Sequence, residues 1–259
     1  MQMHYAEEGK MESYRLKFDL HTHTTFSHGK GSIEDNVSVA LQKGLKTIGI
    51  SDHGPGHVTY GIKRSAVSVM RNEIERLRKK YPQIEILLGI EANIMNPSGR
   101  LDVLPQEFEQ YDYILAGYHY GIFGERPLRA GLLHSVNFIR EHSGIHAKFA
   151  KHWNTEMTIK ALYENPIKIL THPGDKGEFD IAEIAKACAE CGTWMEISNW
   201  HKDLTVESIR IAAKEDVQFI LSSDAHVPQR VGGYEGGLKR AMEAGLDLDR
   251  IVNLERLEA

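Results

Sequence analysis

Cysteine is nearly absent: the 259 residues hold two, Cys188 and Cys191. Their C-x-x-C spacing would suit a redox pair or half of a zinc ribbon, but there is no second pair, and both stand at the end of an expected helix. A helix C-terminus does not lower a thiol pKa, so both are read as buried structural thiols. Long apolar runs are missing too, with nothing near the roughly 18 consecutive residues of a membrane span. The opening stretch MQMHYAEEGKMES is polar and acidic, unlike a secretory peptide, and the expectation is a soluble, cytoplasmic protein. Nor is there an excess of positive charge: 31 Lys and Arg against 36 Asp and Glu leave a net charge of −5. A nucleic-acid binder usually presents a basic face, so the expected partner is a small substrate, with neither nucleic acid nor membrane. No internal repeat or low-complexity tract divides the chain, and nothing in the pattern bears on oligomeric state.

What is present is a regular alternation. Seven short β-rich apolar runs occur at residues 14–20, 46–50, 84–90, 113–118, 167–171, 193–198 and 218–222. Stretches with helical spacing separate most of them, at 32–43, 65–80, 180–191, 205–215 and 234–244. In the first of these Ile33, Val37, Ala40 and Leu41 share a face, Ser32 with Asp35 opens the helix, and Gly44 stops it. Such β/α alternation predicts parallel strands with right-handed crossovers, and closure gives a TIM-like (β/α)7 barrel with its chemistry at the strands' C-terminal ends. A barrel of this size accounts for 1–259 as one domain, with 1–13 as an N-terminal extension. The connection 121–165 is the longest and is expected to contain two helices and functional elements.

Each run ends in a residue type that binds metals. The first ends in His21 and His23, the second in Asp52-His53, the third in Glu91 and the fourth in His119; the last three end in His172, His201 and Asp224-Ala-His226. A strand alternates its side chains, so H-x-H at 21 and 23 turns both imidazoles to one side, and Asp224 with His226 repeats that spacing. Imidazole with carboxylate and no thiolate suits zinc, manganese or iron. Asp19 and Asp52 alternate to the other face and carry two readings, acceptors for ligand N–H groups that set imidazole tautomers or structural hydrogen-bond acceptors near the barrel rim. His4, His57, His134, His142, His146 and His152 lack a strand-end position and are read as solvated or hydrogen-bonded.

The segments DLHTHTTFSHG, GISDHG, GIEAN, GYHY, THPG and SSDAH, in this order, resemble the PHP family, named for polymerase and histidinol phosphatase. The resemblance runs from about Lys17 to Val231. It implies a distorted seven-stranded barrel holding three divalent ions, zinc foremost with manganese or iron as alternatives. His21, His23, Glu91 and Asp224 would hold one ion, and Glu91 would bridge to a second held by His119 and His172. The third would take His28, His53 and His226. His28, where many relatives have Asp, is similar to the bacterial stand-alone phosphatases with three zinc ions. The histidinol phosphatase branch more often reads Thr-Glu-His where this chain has Ser51-Asp52-His53.

The implied activity is hydrolysis of a small phosphomonoester through a metal-activated water, with Glu91 and Asp224 in the catalytic cluster and His201 as candidate proton donor. Arg126, Arg129 and Arg230 follow strands four and seven and are candidate phosphate clamps. The alternatives are a histidinol-phosphate phosphatase of histidine biosynthesis, an amidohydrolase-type C–N hydrolase, a nuclease and a non-enzymatic metal scaffold. The seven strands and the absence of a lysine bridge at strand four count against the amidohydrolase, and the acidic balance counts against the nuclease.

Overall fold

The computed structural model describes residues 13–257 except 96–97, 123 and 125; His4 and nearly all of the expected N-terminal extension lie outside the described residues. The strands are β1 (Tyr14–Leu16), β2 (Phe18–Asp19), β3 (Thr47–Ile50), β4 (Glu85–Asn93), β5 (Tyr113–Gly117), β6 (Ile169–Leu170), β7 (Trp194–Ser198), β8 (Phe219–Ser222) and β9 (Leu254–Arg256). The helices are α1 (Ile33–Gln42), α2 (Ala66–Lys80), α3 (Pro127–Ser143), α4 (Lys148–Glu164), α5 (Ile181–Cys191), α6 (Val206–Ala212) and α7 (Glu235–Ala244). Strands β2 to β8 form one parallel sheet in sequence order, the expected nearly closed seven-stranded barrel. The 121–165 connection carries α3 and α4, as its length predicts.

Two departures concern the ends of the chain. The first run, expected as one strand, is split: β1 leaves the barrel and pairs antiparallel with β9, a strand the apolar pattern did not predict. The split falls at Lys17, whose N–H donates to Asn253 O and whose carbonyl accepts from Lys46 N–H. The barrel seam between β2 and β8 is closed by two devices. At the top a single bridge pairs Thr22 with Ala225. Lower down the buried Asn253 side chain accepts from Leu221 N–H at 3.1 Å and donates to Leu221 O at 2.7 Å and Phe18 O at 2.8 Å. One amide thus does the work of a missing strand, satisfying backbone groups that would otherwise be buried unpaired.

The barrel interior is plugged by Leu20, Leu115, Ile169 and Ile220, packed against Phe18, Leu87, Tyr113, Trp194 and Val252. Tyr113 needs two glycines: a Cβ on Gly49 would lie 1.9 Å from its Oη, and one on Gly89 would lie 2.4 Å from Cζ. Its hydroxyl donates to Leu20 O at 2.7 Å, next to the H-x-H pair. The larger apolar layer lies between sheet and helices. Helix α1 begins with the expected capping box of Ser32 and Asp35, and Gly44 follows it at φ 75°. Of the two thiols read as buried, Cys188 is buried but Cys191 is exposed on the last turn of α5. No described helix is long and apolar enough to cross a membrane.

Candidate metal centre

Seven strand ends converge over the apolar plug. Glu91, two residues before the end of β4, is buried at the centre rather than following its strand. Its Oε1 lies 2.9 Å from His172 Nε2, 3.3 Å from His21 Nε2 and 3.4 Å from His119 Nε2. Its Oε2 lies 2.8 Å from His53 Nδ1 and 3.6 Å from His23 Nε2. Asp224 Oδ1 is 3.1 Å from His23 Nε2, while Oδ2 is 3.0 Å from His201 Nε2. Donor atoms gather within 4.8 Å of one another in the overlapping groups His21–His23–Glu91, His53–Glu91–His119 and His23–His53–His226. His23 thus stands with His53 and His226 where the resemblance places His28. The His28 ring packs alongside, its centroid 4.2 Å from that of His226 and 4.8 Å from that of His53. His172, Asp175 and His201 make a further group.

The local fold aims these rings. His172 and Asp224 adopt φ values of 27° and 48°, left-handed conformations disfavoured for non-glycine residues and typical of functional sites. The His172 N–H donates to Glu196 Oε2 at 2.6 Å, and Glu196 Oε1 lies 2.7 Å from His21 Nδ1. His119 Nδ1 is 2.8 Å from Asn93 Oδ1, and the Asn93 amide in turn donates to Asp102 at 2.6 Å. His226 Nδ1 pairs with Asp224 O at 3.0 Å. The ring contacts of His21, His119 and His226 occupy Nδ1 and leave Nε2 for an ion, the usual way a ligand imidazole is oriented, while the Glu196 contact to His172 holds its backbone. Glu196, Asn93, Asp102 and Asp175 escaped the sequence reading. A glutamate inside the apolar 193–198 run was the available clue, since a buried carboxylate requires a partner.

Of the two readings open for Asp19 and Asp52, the structure shows the structural one. Neither meets a ring nitrogen. Asp19 accepts from Ser223 Oγ, Gly232 N–H and the His21 backbone N–H, while Asp52 accepts from Thr24 N–H, Thr24 Oγ1 and Ser27 Oγ. They pin the loops that carry the histidines.

A cation fits the cluster on its own evidence. His23 Nδ1, His28 Nδ1, His53 Nδ1 and Glu91 Oε2 are buried without a hydrogen bond, although His53 Nδ1 and Glu91 Oε2 approach to 2.8 Å. Buried polar atoms are rarely left so, and a donor set of imidazoles and carboxylates suits a borderline divalent ion. Burial alone would raise the Glu91 and Asp224 pKa values, but the surrounding imidazoles, His21 foremost, hold both well below the carboxylate range. Burial and the His53 charge push His23 well down, and burial with His226 and His53 takes His28 to about 4; both are therefore neutral and able to bind metal at pH 7.

Above the cluster opens a cavity of about 780 Å³. Of the three arginines expected to clamp phosphate, only Arg230 lines it, its guanidinium 3.7 Å from the Trp200 ring centroid. Arg126 is exposed at the start of α3, and Arg129 lies 4.1 Å over the Trp153 ring; neither lines the cavity. Lys30, Lys176 and Tyr60 line it unforeseen, as does His57, which was read as solvated or hydrogen-bonded and whose Nδ1 accepts from the Thr59 and Tyr60 N–H groups. Burial and the charges of His53 and His119 push His57 down to about 4. His201 also lines the cavity, its Nδ1 3.3 Å from Asp175 Oδ2; burial opposes its charge, but Asp175 and Asp224 push it up to about 10. His134 is hydrogen-bonded to Ile122 O and Tyr118, and His142, His146 and His152 are exposed, as read.

The chain is similar to a protein named "Probable phosphatase" from Shewanella sp. (strain MR-4), with 29% identity covering 91% of this chain and 86% of that one. A protein of the same name from Thermoanaerobacter sp. (strain X514) is 30% identical, covering 93% and 91%. The solved structure of hisK from Listeria monocytogenes superposes with a TM-score of 0.62 at 14% identity, covering 84% of this chain and 98% of that chain. The Lactococcus lactis histidinol phosphate phosphatase, complexed with zinc, L-histidinol and phosphate, gives 0.50 at 13%, covering 89% and 94%. At such identities these structures bear on fold alone. The model of the PHP domain matches residues 19–199, well over half of the sequence, and the chain belongs to the PHP domain family.

Proposed function

We propose that this chain, a metal-dependent phosphoesterase of the PHP domain family, hydrolyses a small phosphomonoester over a cluster of three divalent ions. The observation that carries the reading is the convergence of Glu91, Asp224 and seven imidazoles, with buried donor atoms left unpartnered, on the floor of an open cavity. His21, His23, Glu91 and Asp224 would hold one ion, Glu91, His119 and His172 a second, and His28, His53 and His226 a third, with zinc the favoured metal. Bound there, divalent ions supply electrostatic stabilisation of phosphate oxygens and acidify an attacking water.

The protein's own groups do the rest. Water adds to phosphorus, the ester P–O bond breaks, and the products are an alcohol and inorganic phosphate. The leaving oxygen needs a proton, and His201 is the donor facing the cavity, held between Asp175 and Asp224. Glu196, Asn93 and Asp102 keep the rings of His21 and His119 turned inward. The apolar plug excludes water from below.

Elemental analysis of protein purified without chelator should find about three divalent ions per chain. A phosphate-release screen that includes histidinol phosphate and an aryl phosphate should find turnover. His119→Ala and Asp224→Ala should bind fewer ions and lose that turnover; full activity in either after chelation overturns the proposal. His201→Gln should lower kcat for alkyl phosphates by about 10²–10⁴-fold while sparing p-nitrophenyl phosphate, whose leaving group needs no proton. An equal loss on both substrates would remove His201 from the donor role.

A further inference from the structure

The cavity is far larger than a phosphate group, and its wall is charged in a way the metal cluster does not require. Three cations line it besides the histidines: Lys30, Lys176 and Arg230. The two acids in the lining, Asp175 and Asp224, are buried and already engaged, Asp175 with Lys176 and His201 and Asp224 with His201 and His23. No acid among the described lining residues is exposed at the mouth. Lys30 and Arg230 are both exposed, and among the described residues neither is paired with a carboxylate.

These two cations are held by neighbouring loops. Lys30 N–H donates to His226 O at 2.9 Å, tying its loop to the one that leads to Arg230. A Cβ on Gly31 would lie 2.3 Å from Pro228 Cγ, so the two loops are packed in contact between the cations. Arg230 is further restrained by stacking on Trp200, which is 51% exposed and therefore presents its ring at the surface of the cavity. Stacking fixes the plane of a guanidinium while leaving its N–H edges available for a bidentate anion. A lysine and a stacked arginine, neither paired with a carboxylate among the described residues and both lining one cavity, make an anion site.

We infer that the substrate is a phosphomonoester carrying a second anionic group, a carboxylate or another phosphate, which Lys30 and Arg230 bind while the ester phosphate sits on the metal cluster. The inference rests on the phosphoesterase reading and adds the substrate's class to it. A charged pair at the mouth of a cleft discriminates in favour of ligands that reach it and also steers them inward. It gives nothing to a phosphomonoester whose far end is neutral.

The test measures inhibition of p-nitrophenyl phosphate hydrolysis by the metal-loaded enzyme. Glycerol 3-phosphate, 3-phosphoglycerate and propane-1,3-diol bisphosphate, which has no carboxylate, are compared as competitors, so the result holds whether or not each is itself hydrolysed. The wild type should bind at least one of the doubly anionic compounds about tenfold or more tightly than glycerol 3-phosphate. That ratio should fall toward one in the Lys30→Gln/Arg230→Gln double variant, return in part with Arg230→Lys, and shrink in high salt. Which competitor binds better tells carboxylate from phosphate. Equal inhibition by all three compounds in the wild type overturns the inference, as does an undiminished ratio in the double variant. Hydrolysis of p-nitrophenyl phosphate alongside either result would leave the phosphoesterase reading standing; no hydrolysis of any phosphoester by metal-loaded protein would overturn both.

Discussion

Glu196 shows how much of the site depends on residues that touch no substrate. One carboxylate holds the His21 ring and the strained His172 backbone together, so Glu196→Gln should weaken metal binding by about 10–100-fold, measured by competition with a chromophoric chelator. An affinity equal to the wild type would reduce Glu196 to a packing residue. Apart from His28, which came from the family resemblance, the donor side chains were legible because each stands where an apolar run stops, and strand alternation says which pairs face the same way. Glu196 and Asp175 were not legible, because what makes them matter is a contact with a distant part of the chain. His21 is 175 positions from Glu196, and no local pattern encodes that distance. Arg126 and Arg129 failed for the converse reason: proximity in sequence to a strand end does not bring a helix-borne side chain into the cavity.

Between elements, the barrel is held where its ladder is weakest. Removing the amide in Asn253→Ala leaves Leu221 N–H, Leu221 O and Phe18 O without their partner in the seam. The expected cost is about 3 kcal/mol, seen as a lower urea midpoint with an unchanged slope. Gly49→Ala should cost about 1–3 kcal/mol by driving a methyl into Tyr113, in the same assay. Helices α1 and α2 are joined by Glu34, whose carboxylate meets Lys80, Arg76 and Tyr81 and is lowered to about 2 by those hydrogen bonds, Lys80 first. A carboxyl group with a depressed folded pKa contributes stability above its unfolded value of 4.5, and that contribution is lost as pH falls toward 2. The urea midpoint of Glu34→Gln should therefore trail the wild type at pH 7 and converge on it in acid, with the gap narrowed by salt because the pair is exposed.

At the scale of the molecule, the metal cluster and the fold are coupled. Donor atoms buried at the barrel mouth, four of them without a hydrogen-bond partner, are satisfied by cations, so chelation should destabilise the whole chain rather than one loop. With free metal at 100 times its Kd the linkage is worth about 2.7 kcal/mol, or on the order of 5–10 °C in Tm for a chain of this size. A calorimetric scan with and without chelator checks it, and an unchanged Tm would argue that the ligands are braced without ions. The barrel itself was readable in outline: β/α alternation depends on short-range periodicity, which survives in a single sequence. The seam was not, since β9 lacks an apolar pattern and Asn253 substitutes for backbone pairing through its side chain.

The linear order of residues was enough to specify the seven strands of the barrel, their parallel pairing and the chemical type of donor at each strand end, because these follow from spacing along a few neighbouring positions. Folding decided which donors share an atom's reach, that His23 joins the donor group of His53 and His226, and that Lys30 and Arg230 line one cavity. Those outcomes depend on ångström-scale packing between segments some 200 residues apart, where loop contacts and a pair of left-handed backbone positions set the geometry.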